Sequence, residues 1–258
     1  MLNLDNKNIV VLGGSGLIGT EIISGLIKLN ANIIILDIKK NDNYSNYKKV
    51  FFHKFDITKN NFDKNFLKII NNYKVIDSFI NCAYPYSSDW SESSFETLKY
   101  NSLKININYQ LENTIWTTNL VSKHMKKNKT KGSIILLNSI YGILGNDLSI
   151  YKKTDMKENI SYSVIKGGIS NYVRAMCSVL SPNSIRINSI CAGGVQGGIA
   201  GQAKKQPKQF IKNYSQKVPL RRLANATEIA QPVIFLCSDM SSYITGTNLV
   251  VDGGWTAI

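Results

Sequence analysis

The sequence predicts an α/β fold: one doubly wound, seven-stranded parallel sheet flanked by helices. Three observations predict it. Short runs rich in Ile, Val and Leu alternate with longer amphipathic stretches, the pattern of βα units that feed a parallel sheet. The runs are mostly apolar, as burial on both faces of a sheet requires. The first run also leads directly into the glycine cluster Gly13-Gly14-Ser15-Gly16-Leu17-Ile18-Gly19, a turn chemistry that joins a strand to a helix.

The strands are expected over residues 8–12, 32–36, 50–55, 75–80, 133–137, 185–190 and 248–251. Between them, helices are expected over 17–29, 61–71, a long stretch within 92–127, 161–180 and 227–237. Thr227 followed by Glu228 reads as a helix start, with Pro232 still in the opening turns. No internal repeat or low-complexity linker interrupts the order, and the 258 residues suit one domain spanning 1–258. Such a sheet gathers ligands beyond the carboxyl ends of its strands.

Composition narrows the function classes. Apolar residues make up 43% and charged residues 19%, which describes a folded soluble protein rather than a disordered one. The net charge of +14 raises nucleic acid or an acidic surface as a partner. Its Lys residues are spread over turns such as 41–49 and 126–131 rather than gathered in a stripe, so no nucleic-acid partner is expected. Cys82, Cys177, Cys191 and Cys237 form no C-x-x-C pair, and only His53 and His124 could add imidazole; neither a disulfide framework nor a metal site is expected. The start of the chain lacks a basic and apolar leader and nowhere do about 18 apolar residues run together, so a cytoplasmic protein without a membrane partner is expected.

Glycines at 14, 16 and 19 satisfy G-x-G-x-x-G in the right context, with a strand before and a helix after. The turn must be tight, the backbone must approach a pyrophosphate, and the helix must pack close to the strand. The free N–H groups of the helix start then meet the anion. Asp37 ends the second strand, where a carboxylate accepts hydrogen bonds from ribose hydroxyls and repels a 2'-phosphate, which favours NAD over NADP. Lys39 and Lys40 follow it and read as solvated loop lysines.

Tyr162 and Lys166, four positions apart on an expected helix, emerge on one face. A cation about 5 Å from a phenol, at an effective dielectric of about 20, favours the phenolate by about 3 kcal/mol. That is an acid/base pair in prospect. Ser139, just past the fifth strand, offers a hydroxyl to polarise a carbonyl at the carboxyl edge.

In these motifs and their order the chain resembles the short-chain dehydrogenase/reductase family over nearly its whole length. The segment from Gly13 through Ser15, Gly16, Leu17 and Ile18 to Gly19 resembles the family's glycine motif, Asp56-Ile57 its adenine-contacting Asp-Val, and Asn81-Cys82-Ala83 the segment after strand four. Asn138-Ser139 and Tyr162-x-x-x-Lys166 stand in the catalytic places. Ala192-Gly193-Gly194-Val195 is similar to the Pro-Gly segment beside the nicotinamide, and Val251-Asp252-Gly253-Gly254 to the closing strand. The resemblance implies a single-domain Rossmann fold, an NAD(H)-dependent oxidation or reduction of an alcohol or carbonyl, and a homotetramer or homodimer. It makes Tyr162 the proton donor or acceptor, Lys166 the residue that holds the nicotinamide ribose and tunes Tyr162, and Ser139 the residue that binds the substrate oxygen.

The chain departs from the family in places. Leu17 stands at the usual middle Gly, Ala192 replaces a Pro, and Gly197 stands where a phosphate-contacting Thr is common. An ungapped count back from Met125 puts Gln110 at the family's catalytic Asn, with Asn106 one turn earlier, and leaves open which of them serves. The segment between Ser139 and Tyr162 is longer than usual. Residues 143–160 and 195–218 are expected to form substrate lids, the second carrying Lys204, Lys205, Lys208 and Lys212, which suit an anionic sugar or solvent equally. The long segment, with Ser139-Ile140-Tyr141-Gly142 and Asp252-Gly253-Gly254-Trp255, resembles bacterial oxidoreductases of flagellin-modification and surface-sugar pathways. It implies an amino sugar or sugar phosphate as substrate. An epimerase or dehydratase of the same family, or a noncatalytic dinucleotide sensor, is the alternative.

Overall fold

Alternation along each strand sets the two halves of the core. In the computed structural model, which describes residues 2–198 and 205–258, the strands are β1 (Asn8–Leu12), β2 (Asn32–Asp37), β3 (Val50–Lys54), β4 (Ser78–Asn81), β5 (Ser133–Ser139), β6 (Arg186–Ala192) and β7 (Asn248–Val251). Successive side chains leave a strand on opposite faces. Val10 and Leu12 therefore pack with Ile34, Phe79 and Ile134 on one side, and Ile9 and Val11 pack with Ile33, Ile35 and Ile135 on the other. The strands form one parallel sheet in the order β3-β2-β1-β4-β5-β6-β7. The order reverses at β1 and β4, which opens the crevice where such sheets bind ligands.

Helices close both faces. On the first side lie α2 (Phe62–Ile70), α4 (Asn113–Lys127), which α3 (Tyr100–Asn106) precedes, and α5 (Ile160–Leu180); α2, α4 and α5 contribute Phe66, Val121, Met125, Ile165, Ile169 and Val173 to the core. On the second lie α1 (Leu17–Lys28) and, last in the chain, α7 (Ala226–Cys237), contributing Ile22, Ile23, Leu26, Ile229 and Val233. Between them in sequence comes α6 (Lys208–Lys217). Asn159 caps α5 by accepting the Tyr162 N–H at 2.9 Å, and Asn225 with Glu228 forms a capping box on α7, so this helix starts one residue before the expected Thr227.

Four local expectations change. Strand β4 starts at Ser78 rather than residue 75, because Val75 is 39% exposed while Asp77 turns its carboxylate to the Asn8 N–H at 2.9 Å. Strands β5 and β6 run on to Ser139 and Ala192, paired with each other. The long helix expected within 92–127 is broken: α3 passes into a π-helical turn, Ile107–Glu112, before α4 resumes. Finally, part of the second expected lid is the regular helix α6; residues 199–204 of that segment, Lys204 included, lie outside the described residues.

Candidate active site

At the carboxyl end of β1, Gly13 adopts φ +81°, and a Cβ there would stand 2.5 Å from the backbone nitrogen of Ala83. A Cβ on Gly19 would collide with the Gly13 carbonyl. Glycine is required at both positions, at the first by dihedral and contact, at the second by contact alone. At Gly16 only the Gly13 carbonyl oxygen lies near, at 3.5 Å, and the rest is open. Helix α1 starts from Gly16 with no side-chain cap, so its first N–H groups remain available for an anion. Leu17 is exposed, Ser15 is half-buried and Ile18 packs against the core. Asp37, at the end of β2, accepts the Ser15 N–H at 2.9 Å and the Lys39 N–H at 3.2 Å. Its carboxylate is thereby held over the glycine turn.

The other sequence-predicted dinucleotide residues stand at or just past the carboxyl ends of β3, β4 and β6. Asp56 accepts both the N–H and the hydroxyl of Thr58, at 2.9 and 2.7 Å, which fixes the turn after β3. Ile57 buries its side chain in the core and its carbonyl accepts from Asn113 at 2.8 Å. Asn81 accepts the Ala83 N–H at 3.1 Å and donates to Thr114 at 3.2 Å. Gly193 donates its N–H to Val251 at 2.9 Å, and a Cβ there would meet the Cα of Asp252. Val195 bridges to Ala224. Gly197 touches the exposed Leu17, since a Cβ on Gly197 would reach Leu17 Cδ2 at 2.6 Å, so the two sides of the crevice approach across the turn. A glycine-lined backbone cradle, an uncapped helix start and a fixed carboxylate fit the diphosphate and ribose of a dinucleotide.

Deeper in, α5 presents Tyr162 and Lys166 one turn apart beside the end of β5. The Lys166 Nζ lies 5.5 Å from the centroid of the Tyr162 ring and donates to the Leu137 carbonyl at 2.9 Å. Burial pulls the Lys166 ammonium down to about 8, and it pushes the Tyr162 phenol above its ordinary value, with the Ser139 hydroxyl acting in the opposite sense. This corrects the electrostatic expectation. Desolvation sets both directions: it keeps the Tyr162 phenol protonated and leaves the Lys166 ammonium charged at neutral pH but easier to deprotonate. Ser139 is buried and its Oγ accepts the Tyr141 N–H at 3.2 Å.

The π-helical turn separates the two candidates on that helix. Asn106 is fully buried and its amide is spent on Ser87 and Ser102, donating to Ser87 Oγ and the Ser102 carbonyl at 2.8 Å each. Gln110 is buried with both amide atoms unpartnered among the described residues. Asn106 is thus a structural clamp, while Gln110 retains unspent hydrogen-bonding capacity.

Three residues escape the sequence reading. Tyr84, Trp90 and Tyr141 stand around Tyr162 with ring centroids 5.9, 6.3 and 6.4 Å away. A signal existed, since Tyr84 and Tyr141 each follow a strand by a few residues at its carboxyl end. The 143–159 segment packs on α6: Tyr151 stacks on Phe210 at 6.0 Å, Asn213 donates to the carbonyls of Ile150 and Lys152 at 3.1 and 2.8 Å, and Lys217 pairs with Asp147 at 2.9 Å. The two expected lids share one small core of Ile150, Phe210, Tyr214, Val218 and Leu223. Among the described residues no group of three or more His, Cys, Asp or Glu could hold a metal ion, and no helix is long and apolar enough to cross a membrane.

A Rossmann sheet with the half-buried Tyr162 and the buried Lys166 beside the end of β5 suits a nicotinamide-dependent oxidoreductase. Residues 15–256 match the family model described as enoyl-(acyl carrier protein) reductase, and the chain belongs to the short-chain dehydrogenase/reductase family. It is 29% identical to the post-translational flagellin modification protein A of Campylobacter coli, over 98% of this chain and 99% of that one. It is 28% identical to the 3-oxoacyl-[acyl-carrier-protein] reductase FabG of Buchnera aphidicola, over 98% and 89%. Among solved structures, a short chain dehydrogenase from Leptospira borgpetersenii with bound NAD+ superposes with a TM-score of 0.86 at 29% identity, covering 98% of this chain and 94% of that one.

Proposed function

We propose that the protein interconverts an alcohol and a carbonyl with NAD(H), on an amino sugar or sugar phosphate used in surface-glycan or flagellin modification. The observation that carries the chemistry is the placement of the half-buried Tyr162 beside the buried Lys166 and Ser139 at the carboxyl end of β5. In the direction of reduction Tyr162 gives its phenolic proton to the substrate oxygen while the Ser139 hydroxyl donates to the same oxygen. Lys166, held by Leu137, keeps a positive charge beside the phenolate that results and stabilises it. Gln110, with an unspent amide, orders a water that returns the proton. A bound nicotinamide dinucleotide supplies or accepts the two-electron equivalent at the substrate carbon.

Asp37 supports NAD over NADP, because a carboxylate fixed over the glycine turn repels a 2'-phosphate. The full-length likeness to a flagellin modification protein supports the sugar substrate. Exposed Trp116 on α4 and Val164 and Val179 on α5 support self-association into a homo-oligomer. The reading is tested by following NADH absorbance with phosphorylated and nucleotide-linked sugars beside a 3-oxoacyl thioester. Turnover of a sugar is expected; turnover confined to the thioester overturns the sugar assignment.

A further inference from the structure

Aromatic rings from separate segments meet around the reactive phenol. Tyr84 follows β4, Tyr141 follows β5, and Tyr151 and Tyr214 come from the 143–159 segment and α6. Tyr214 accepts the Gly194 N–H at 2.6 Å through its hydroxyl. The Tyr141 hydroxyl is different: it is buried and has no hydrogen-bond partner among the described residues. The Tyr151 phenol stands beside it as a weak hydrogen-bonding neighbour, and the pair falls short of a formed hydrogen bond.

A buried hydroxyl without a partner costs stability, and such groups are retained where a ligand supplies the missing bond. Tyr141 is placed for that. Its backbone N–H is fixed by Ser139 at 3.2 Å and its ring stands edge-on to Tyr162. A ligand oxygen held between Ser139 and Tyr162 therefore brings its neighbouring substituents to the Tyr141 ring. Burial holds Tyr84, Tyr141, Tyr151 and Tyr214 above their ordinary values, so these groups offer neutral O–H donors and ring faces. Such walls accommodate a ring with C–H faces and hydroxyl or amide substituents.

We propose that Tyr141 is a specificity-determining residue: its hydroxyl bonds a polar substituent next to the reacting carbon, selecting polyhydroxylated rings over plain alkyl alcohols and acyl chains. The proposal rests on the catalytic placement of Tyr162 given above.

The test compares cyclohexanone with 2-hydroxycyclohexanone as substrates of the NADH-loaded wild type and Tyr141→Phe. In parallel, cyclohexanol and trans-1,2-cyclohexanediol are titrated into the NAD+-loaded proteins, so that binding reports even where turnover is slow. The wild type should prefer the hydroxylated partner of each pair by about tenfold. Tyr141→Phe should erase that preference while leaving kcat/KM or Kd for the plain partner unchanged. A preference that survives in Tyr141→Phe, equal losses on both partners, or a wild type without preference overturns the proposal. Loss of all turnover in wild type with the binding preference intact instead counts against the catalytic reading, which separates the two failures.

Discussion

The Lys166 ammonium donates a 2.9 Å hydrogen bond to the Leu137 carbonyl while lying 5.5 Å from the centroid of the Tyr162 ring. One backbone carbonyl of β5 thus fixes the cation relative to the phenol, and the strand that carries Ser139 also aims Lys166. The three groups are held by two rigid elements, β5 and α5, which is the condition for a preorganised site.

Lys166 should leave a signature in stability. Burial moves its ammonium from 10.5 to about 8. Below about 8 both folded and unfolded chains hold the proton; between about 8 and 10.5 only the unfolded chain does. Unfolding then takes up a proton, so the stability linked to this residue rises with pH across that window. At neutral pH the buried charge costs about 3 kcal/mol. Urea unfolding should find Lys166→Met more stable relative to wild type at pH 7 than at pH 10. A difference independent of pH contradicts this.

Gly13→Ala should damage both fold and cofactor site. The φ of +81° and the backbone nitrogen of Ala83 at 2.5 Å from the new Cβ impose strain of about 1–3 kcal/mol. Gly16→Ala meets only open space and one carbonyl at 3.5 Å, so it should spare the melting temperature while weakening NAD+ binding at the start of α1. Thermal melting and NAD+ titration separate the two; equal melting temperatures for both variants count against the cradle.

Asp37→Ser removes the carboxylate proposed to meet the ribose hydroxyls. The ratio of NAD+ to NADP+ affinity should fall by about tenfold or more, read by titration of each dinucleotide. An unchanged ratio would show that Asp37 serves only the Ser15 and Lys39 N–H groups.

Asn213→Ala cuts the two hydrogen bonds that tie α6 to the carbonyls of Ile150 and Lys152. With two bonds at about 1 kcal/mol each, KM for the substrate should rise several-fold while NAD+ affinity stays the same. A change in NAD+ affinity alone would place this junction in the cofactor site instead.

Much of this is legible in the chain because it is local. The glycine turn, Asp37, and the Tyr162 and Lys166 spacing are short-range patterns with one physical reading, and the all-apolar strands announce burial on both faces. What is not legible depends on distance in space. Helix α6 hides because its apolar side, Phe210, Ile211 and Tyr214, is short and lies between lysines. The π-helical turn that frees Gln110 while Asn106 is spent on Ser87 has no sequence signal. Tyr84, Trp90 and Tyr141 converge on Tyr162 from segments whose meeting only the sheet order creates. The expected acidification of Tyr162 fails for the same reason: spacing gives the distance to Lys166, whereas burial, which decides the direction, is a tertiary property.

The central claim is that Tyr162 moves the proton. The direct measurement is steady-state NADH turnover by Tyr162→Phe, with NAD+ affinity measured on the same preparation. The expected result is a loss in kcat of about a thousandfold or more with NAD+ affinity within about threefold of wild type. Turnover close to wild type in that variant would contradict the mechanism.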